Sequence, residues 1–105
     1  MIENGWVTEK NGDRLHYKND FLHCDSGPAI IYADGGQAWY KDGLLHRLDG
    51  PARIWADGGQ AWFKDGKYHR LDGPAYIGAD GHQEWWVEGK ELTEKQFNEK
   101  CGSNS

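Results

Sequence analysis

Apolar and polar residues alternate along the chain in short runs broken by glycine, and the alternation restarts every 23 residues. His46 to Tyr68 reads HRLDGPARIWADGGQAWFKDGKY, and His69 to Glu91 reads HRLDGPAYIGADGHQEWWVEGKE. The block before them, His23 to Leu45, reads HCDSGPAIIYADGGQAWYKDGLL. Residues 1–22 are a degenerate copy: Trp6, Val7, Gly12, Tyr17 and Lys18 precede Ala29, Ile30, Gly35, Tyr40 and Lys41 by the same 23 residues. A fixed period of this length is the mark of a repeat array, whose outermost copies are atypical because they close the stack.

Alternation with period two predicts strands, not helices. In the third block, Pro51 opens a strand that runs through Ala52 to Ala56, a position where proline is tolerated. Asp57-Gly58-Gly59 predicts a turn, Gln60 to Lys64 a second strand and Asp65-Gly66 another turn, with Lys67 to Gly73 looping into the next block. Two strands per block predict an antiparallel sheet of about eight strands, single-layered or weakly rolled. If Asp57-Gly58-Gly59 is a three-residue loop, Ala56 faces Gln60 and Ile54 faces Trp62. One face then carries Ala52, Ile54, Ala56 and Trp62, with Ala29, Ile31, Ala33, Trp39, Ala75, Ile77, Ala79 and Trp85 beside them. The other carries Arg53, Trp55 and Phe63, with Tyr32, Tyr40, Tyr76 and Trp86 near them. A two-residue turn would set Trp55 against Trp62 and reshuffle the faces.

The end of the chain changes pattern. Thr93 and Gln96 are spaced as a capping box, and Leu92 and Phe97 as a hydrophobic staple. They predict a short helix from about residue 94 to 100, within a capping segment 92–101 that folds over the last hairpin, with a disordered tail at 102–105. The expected fold is therefore all-β: one domain of tandem 23-residue antiparallel β-hairpin repeats with a short C-terminal capping helix.

Composition sharpens this reading. Fifteen glycines and six tryptophans in 105 residues suit many turns with rings stacked between them, and do not suit a helical bundle. The net charge of −5 weighs against wrapping nucleic acid, which needs clustered Lys and Arg, and fits a basic protein partner better. Cys24 and Cys101 do not occupy equivalent positions in the blocks and form no Cys-x-x-Cys motif. Met1 to Val7 lacks the pattern of a secretory signal, and no apolar stretch could span a bilayer, so cytoplasmic location is the expectation.

The segment Trp62-Phe63-Lys64-Asp65-Gly66-Lys67-Tyr68-His69, followed by Gly73 and Asp80-Gly81, resembles MORN repeats. The chain departs from them at Arg47-Leu48-Asp49-Gly50-Pro51-Ala52, where MORN repeats usually carry Gly-x-Gly. The His-Arg-x-Asp-Gly-Pro-Ala version, closed by Gly89-Lys90-Glu91-Leu92-Thr93-Glu94-Lys95-Gln96-Phe97, is similar to small repeat proteins encoded in bacteriophage genomes. The resemblance covers roughly residues 11–97 and implies a MORN-like single sheet or solenoid with a scaffold or binding role and no enzyme activity. Fold does not carry the target with it.

The chemical candidates are weak against their structural readings. His23, His46 and His69 recur every 23 residues, but equivalent residues two strands apart are separated by about 10 Å, too far to share a metal ion. Arg47 with Asp49 and Arg70 with Asp72 read as turn organisers that bridge neighbouring blocks, because an active site needs different groups converging on one point. The Asp-Gly-Gly loops lack the alternating oxygens of a calcium loop, and Cys24 has no constellation of its own beyond adjacent His23 and Asp25. No catalytic residue, metal or cofactor is therefore expected.

The aromatic residues carry the functional expectation. Tyr32, Tyr40, Arg53, Trp55, Phe63, Tyr76 and Trp86 form a stripe of the residue types that dominate binding hot spots, unless the rings stack into a second small core. The expected function is non-enzymatic binding of a protein, and the bacteriophage-like version implies a host protein that is inhibited or redirected, such as a defence nuclease or its complex. The alternatives are a binder of single-stranded nucleic acid or nucleotides through base stacking, and self-assembly as a homodimer through the sheet edge or the aromatic face.

Overall fold

A computed structural model describes residues 4–100. Its elements are short. The first block supplies β1 (Gly5–Thr8), β2 (Arg14–Lys18) and β3 (Phe21–Leu22). The second supplies β4 (Ile30–Ile31), β5 (Gln37–Ala38), β6 (Tyr40–Lys41) and β7 (Leu44–Leu45), and the third β8 (Arg53–Ile54), β9 (Gln60–Ala61), β10 (Phe63–Lys64) and β11 (Lys67–Tyr68). The last supplies β12 (Tyr76–Ile77), β13 (Gln83–Val87) and β14 (Lys90–Leu92), followed by α1 (Glu94–Lys100). The chain is all-β apart from this helix, and the strand pairs are antiparallel. One sheet of ten strands runs in the order β1-β2-β4-β5-β8-β9-β12-β13-β14 with β3 on β2, and β6-β7 and β10-β11 form two small ribbons. The body measures 50 × 27 × 20 Å. No helix among the described residues is long and apolar enough to cross a membrane. Residues 1–3, Cys101 and the tail expected at 102–105 lie outside the described residues.

The expectation of about eight strands, two per block, undercounts. Fourteen form among the described residues, because the segment assigned to a loop after Asp65-Gly66 begins with a strand of its own. Asp65 and Gly66 both hold positive φ, 50° and 82°, and the pair joins Lys64 to Lys67 directly. This is the mirror-image turn whose twist matches two flanking strands, so it closes a hairpin rather than opening a loop. In the first block Asn19 and Asp20 adopt the same conformation without glycine, with φ of 51° and 72°. The second strand of the middle blocks also breaks at Trp39 and Trp62. There the backbone N–H bonds the strand that opens the following block's hairpin (Trp62 N to Ala75 O, 2.7 Å), while the carbonyl accepts from the histidine that begins that block (His69 N, 3.0 Å). One bent segment thus serves two sheets.

The hairpin register also differs from the expectation. Ile54 pairs with Gln60 rather than Trp62, and Arg53 pairs with Ala61. The three-residue loop is Ala56-Asp57-Gly58, so Ala56 is exposed in it and does not face Gln60. The first glycine of the pair takes the left-handed position (φ 97°) and donates to Trp55 O at 2.9 Å, while the Asp57 carboxylate accepts Gly59 N–H at 3.0 Å. Ala33 and Ala79 are likewise exposed at their turns, not part of an internal face. The offset shifts pairing by two positions, and a shift of two keeps every strand side chain on its side. The division of the remaining residues between faces therefore stands.

Small residues alternate with large ones across both faces. One row of paired residues reads Ile30, Ala38, Arg53, Ala61, Tyr76, Glu84. On the other side Ala52 lies between the strands of Trp39 and Trp62, receiving Trp39 N–H at its carbonyl (2.7 Å) and donating to Ala61 O (2.8 Å). Ala29, Ala38, Ala52, Ala61 and Ala75 are fully buried, and among the described residues no large side chain is. Strands lie about 4.8 Å apart, and an alanine between two larger residues leaves their side chains room to spread over it.

At the C-terminus the capping box forms as expected: Gln96 N–H donates to Thr93 Oγ1 at 3.1 Å and Thr93 N–H to Gln96 Oε1 at 2.9 Å. Phe97 is 4% exposed, and α1 packs on β13 and β14.

Candidate binding face

The two faces of the sheet are finished differently. On the tryptophan side, the ring of Trp39 is covered by Arg47 with its guanidinium carbon 4.0 Å from the ring centre, and Trp62 by Arg70 at 3.8 Å. Each arginine is fixed inside its loop: Arg47 Nε donates to Asp49 at 2.9 Å and Nη1 to Pro51 O at 3.1 Å, while Arg70 repeats this with Asp72 at 2.7 Å and Pro74 O at 3.0 Å. The expected bridging of neighbouring blocks is thus made by stacking on the preceding tryptophan, while the Asp receives the guanidinium. Hydrogen bonding to that arginine holds the Asp49 and Asp72 carboxyls below their ordinary range.

On the opposite face the rings meet one another and one cation. Arg53 Nη1 donates to the Tyr32 hydroxyl at 2.6 Å. Its guanidinium carbon lies 4.2 Å from the Tyr32 ring centre and 5.0 Å from that of Trp55. Trp55 meets Tyr76 edge-on at 5.9 Å, and Tyr76 lies 6.2 Å from the His82 ring. A second cluster runs Phe63 to Tyr68 at 4.4 Å and Tyr68 to Trp86 at 5.0 Å. Tyr40 stands near Tyr32 and Arg53: burial raises its phenol pKa first, Tyr32 adds to the rise and Arg53 opposes it. All seven residues of the expected stripe are half-buried, so the rings both pack together and keep an exposed margin.

Sequence reasoning missed Tyr68, His82 and Glu84. Tyr68 bridges Phe63 and Trp86, and Glu84 accepts Trp86 Nε1–H at 2.9 Å while standing 3.0 Å from His82 Nε2. The Trp86 bond, more than His82, lowers the Glu84 pKa. A signal was present. Tyr68 replaces Leu22 and Leu45, His82 replaces Gly36 and Gly59, and Glu84 replaces Ala38 and Ala61. These departures from the period collect on one face.

The repeated histidines bond backbone groups, as expected of packed loops. His23, His46 and His69 accept, at Nδ1, the N–H of Asp42, Asp65 and Glu88 at 2.9–3.0 Å. Among the described residues no three His, Cys, Asp or Glu side chains gather closely enough to hold a metal ion. Cys24 is half-buried with Sγ 3.6 Å from Ser26 Oγ, in a groove of about 410 Å³ that includes His46 and Arg47. The matching groove one block later measures about 700 Å³ and is flanked by Leu48 and Leu71, 78% and 54% exposed. These loop-tip leucines, with Phe21 and not the seven residues of the expected stripe, are among the most exposed apolar side chains, and sequence reasoning passed over them.

No family model matches the chain, and no curated protein matches it.

Proposed function

We propose that the chain is a non-enzymatic protein-binding module, a MORN-like array of hairpins whose binding surface is the aromatic face around Arg53, Trp55 and Tyr76. The observation that carries this reading is the difference between the two faces. Arg47 and Arg70 on the tryptophan side each bond their own carboxylate, whereas on the aromatic side Arg53 touches Tyr32 and Trp55, Trp55 meets Tyr76, and no carboxylate among the described residues pairs with Arg53. Tyr, Trp and Arg already ordered by their neighbours lose little side-chain freedom on binding, which is what makes such residues hot spots. The net charge of −5 weighs against a nucleic-acid partner. The His-Arg-x-Asp-Gly-Pro-Ala motif, which resembles that of small bacteriophage repeat proteins, directs the search to a bacterial host protein that the module would inhibit or redirect.

The test is affinity capture from host lysate with the wild-type chain, Trp55→Ala, Trp86→Ala and Arg47→Ala. The reading expects one stoichiometric protein that the first two variants lose and Arg47→Ala keeps. No stoichiometric partner, or a partner lost only by Arg47→Ala, overturns it.

A further inference from the structure

Arg53 is anomalous in three ways. Its position in the period is held by Ile30 and Tyr76, so the fold does not call for a cation there. Arg47 and Arg70 each hold a carboxylate within 2.9 Å, whereas among the described residues no carboxylate lies within 4.0 Å of the Arg53 guanidinium. Its Nε is buried with no hydrogen-bond partner. A half-buried cation that lacks a counter-charge leaves an attraction unfilled.

The geometry points to Arg53 and the Tyr32 hydroxyl as a receptor for one carboxylate, an Asp or Glu side chain of the protein partner, entering between the rings of Tyr32 and Trp55. This assignment rests on the protein-binding reading above and names the chemistry its partner must offer. The donors are in place. Nη1 spends one hydrogen on the Tyr32 oxygen at 2.6 Å and keeps a second. Nη2 has no bond to the described residues and is not among the buried unpaired atoms, so it opens to solvent. Because the Tyr32 oxygen accepts from Arg53, its own proton is free to be donated. The Tyr40 phenol nearby stays protonated, since burial raises its pKa. The rings at 4.2 and 5.0 Å hold the fork in plane, which suits end-on pairing with a planar carboxylate.

A carboxylate fits better than a phosphate. A phosphate ester carries close to two charges and is ordinarily met by a cluster of cations. Here neither lysine nor a second arginine joins the rings of Tyr32, Trp55 and Tyr76. The chain's net charge of −5 opposes a doubly charged anion more than a singly charged one.

The experiment is a titration followed by the arginine side-chain and tryptophan indole NMR signals at constant ionic strength. The probes are N-acetyl-glutamic acid amide, its glutamine counterpart and inorganic phosphate. The expected result is a saturable shift of the Arg53 and Trp55 signals with the glutamate probe and no such shift with glutamine. Arg53→Gln abolishes the Trp55 response, Arg53→Lys does not restore it, and Tyr32→Phe weakens it about tenfold, the equivalent of one charge-assisted hydrogen bond. Arg53→Tyr copies the residue found one block later and tests the same loss in a second well-folded background. Equal shifts with glutamine, an equal response at Arg70, or tighter binding of phosphate than of glutamate overturns the assignment. Once a partner is in hand, Arg53→Gln should weaken it on the order of 30-fold or more. Full affinity in Arg53→Gln with loss in Trp55→Ala removes the carboxylate receptor and leaves the binding module standing. A saturable glutamate shift with no protein partner in the lysate removes the module and leaves the receptor.

Discussion

Alanine at Gly50 should destabilise the chain, and alanine at the equivalent Gly27 should not. A Cβ built at Gly50 would lie 3.0 Å from Arg47 Cζ and 3.3 Å from both Nε and Nη1. At Gly27, where the preceding block has Cys24 in place of the arginine, nothing lies within 4 Å. Neither glycine has positive φ, so the backbone itself tolerates alanine. Arg47 cannot yield freely, because the Trp39 ring, Pro51 O and Asp49 hold it from other sides. Displacing it forfeits a hydrogen bond from a charged donor, about 1.5–3 kcal/mol, and a partly exposed ring contact of about 0.5–1 kcal/mol. Part of this survives if the guanidinium shifts rather than leaves, and alanine returns about 0.4–1 kcal/mol by restricting the unfolded chain. The expected outcome is a loss of about 1–2 kcal/mol for Gly50→Ala against a small gain for Gly27→Ala. Urea unfolding followed by tryptophan fluorescence reads this as a lower midpoint at unchanged slope, with a melting temperature lower by about 4–8 °C per kcal/mol for a chain of this size. In an Arg47→Ala background the obstacle is gone, and Gly50→Ala should then behave like Gly27→Ala. Equal effects of Gly27→Ala and Gly50→Ala in the wild-type background, within about 0.5 kcal/mol, would refute the reasoning.

Phe97→Ala should cost about 3–5 kcal/mol, since the side chain is only 4% exposed, while Thr93→Ala should cost about 1 kcal/mol by removing the cap; thermal unfolding separates the two. Asp25, Asp49, Asp72 and Glu84 all have folded pKa values below their ordinary 3.8 or 4.5, each chiefly through a side-chain hydrogen bond. Their contribution is therefore present above those values and is lost as pH falls below them. Acid titration of stability should show this limb, and Arg47→Ala with Arg70→Ala should flatten it. Tyr40 and Tyr68 have raised pKa values through burial, so their contribution is full below their ordinary 10.0 and is lost as pH rises through the folded values. Phenolate absorbance should show these two titrating late, and removing either ring should shift the alkaline unfolding limb.

What the sequence determined by itself is what each short segment decides alone. Strand alternation depends on period two, so the side of Ile54, Trp62, Arg53 and Trp55 could be read directly and survived a register error. The capping box of Thr93 and Gln96 is likewise local. Tertiary structure decided the rest. Which residues of Ala56-Asp57-Gly58-Gly59 form the loop is left open by two adjacent glycines; in the fold Gly58 takes the left-handed position and Gly59 pairs with Trp55. The break at Trp39 and Trp62 arises because their N–H and C=O serve different segments of the next block, Ala52 and His46 for Trp39, Ala75 and His69 for Trp62. The state of the faces was undetermined for the same reason. Arg47 covers Trp39 because Asp49, Gly50 and Pro51 shape a seat around it, while Arg53, with no carboxylate in reach among the described residues, remains open. Periodicity assigns a residue to a side; the loop around Arg47 supplies its counter-charge, while the surroundings of Arg53 are set by Tyr32, 21 residues away.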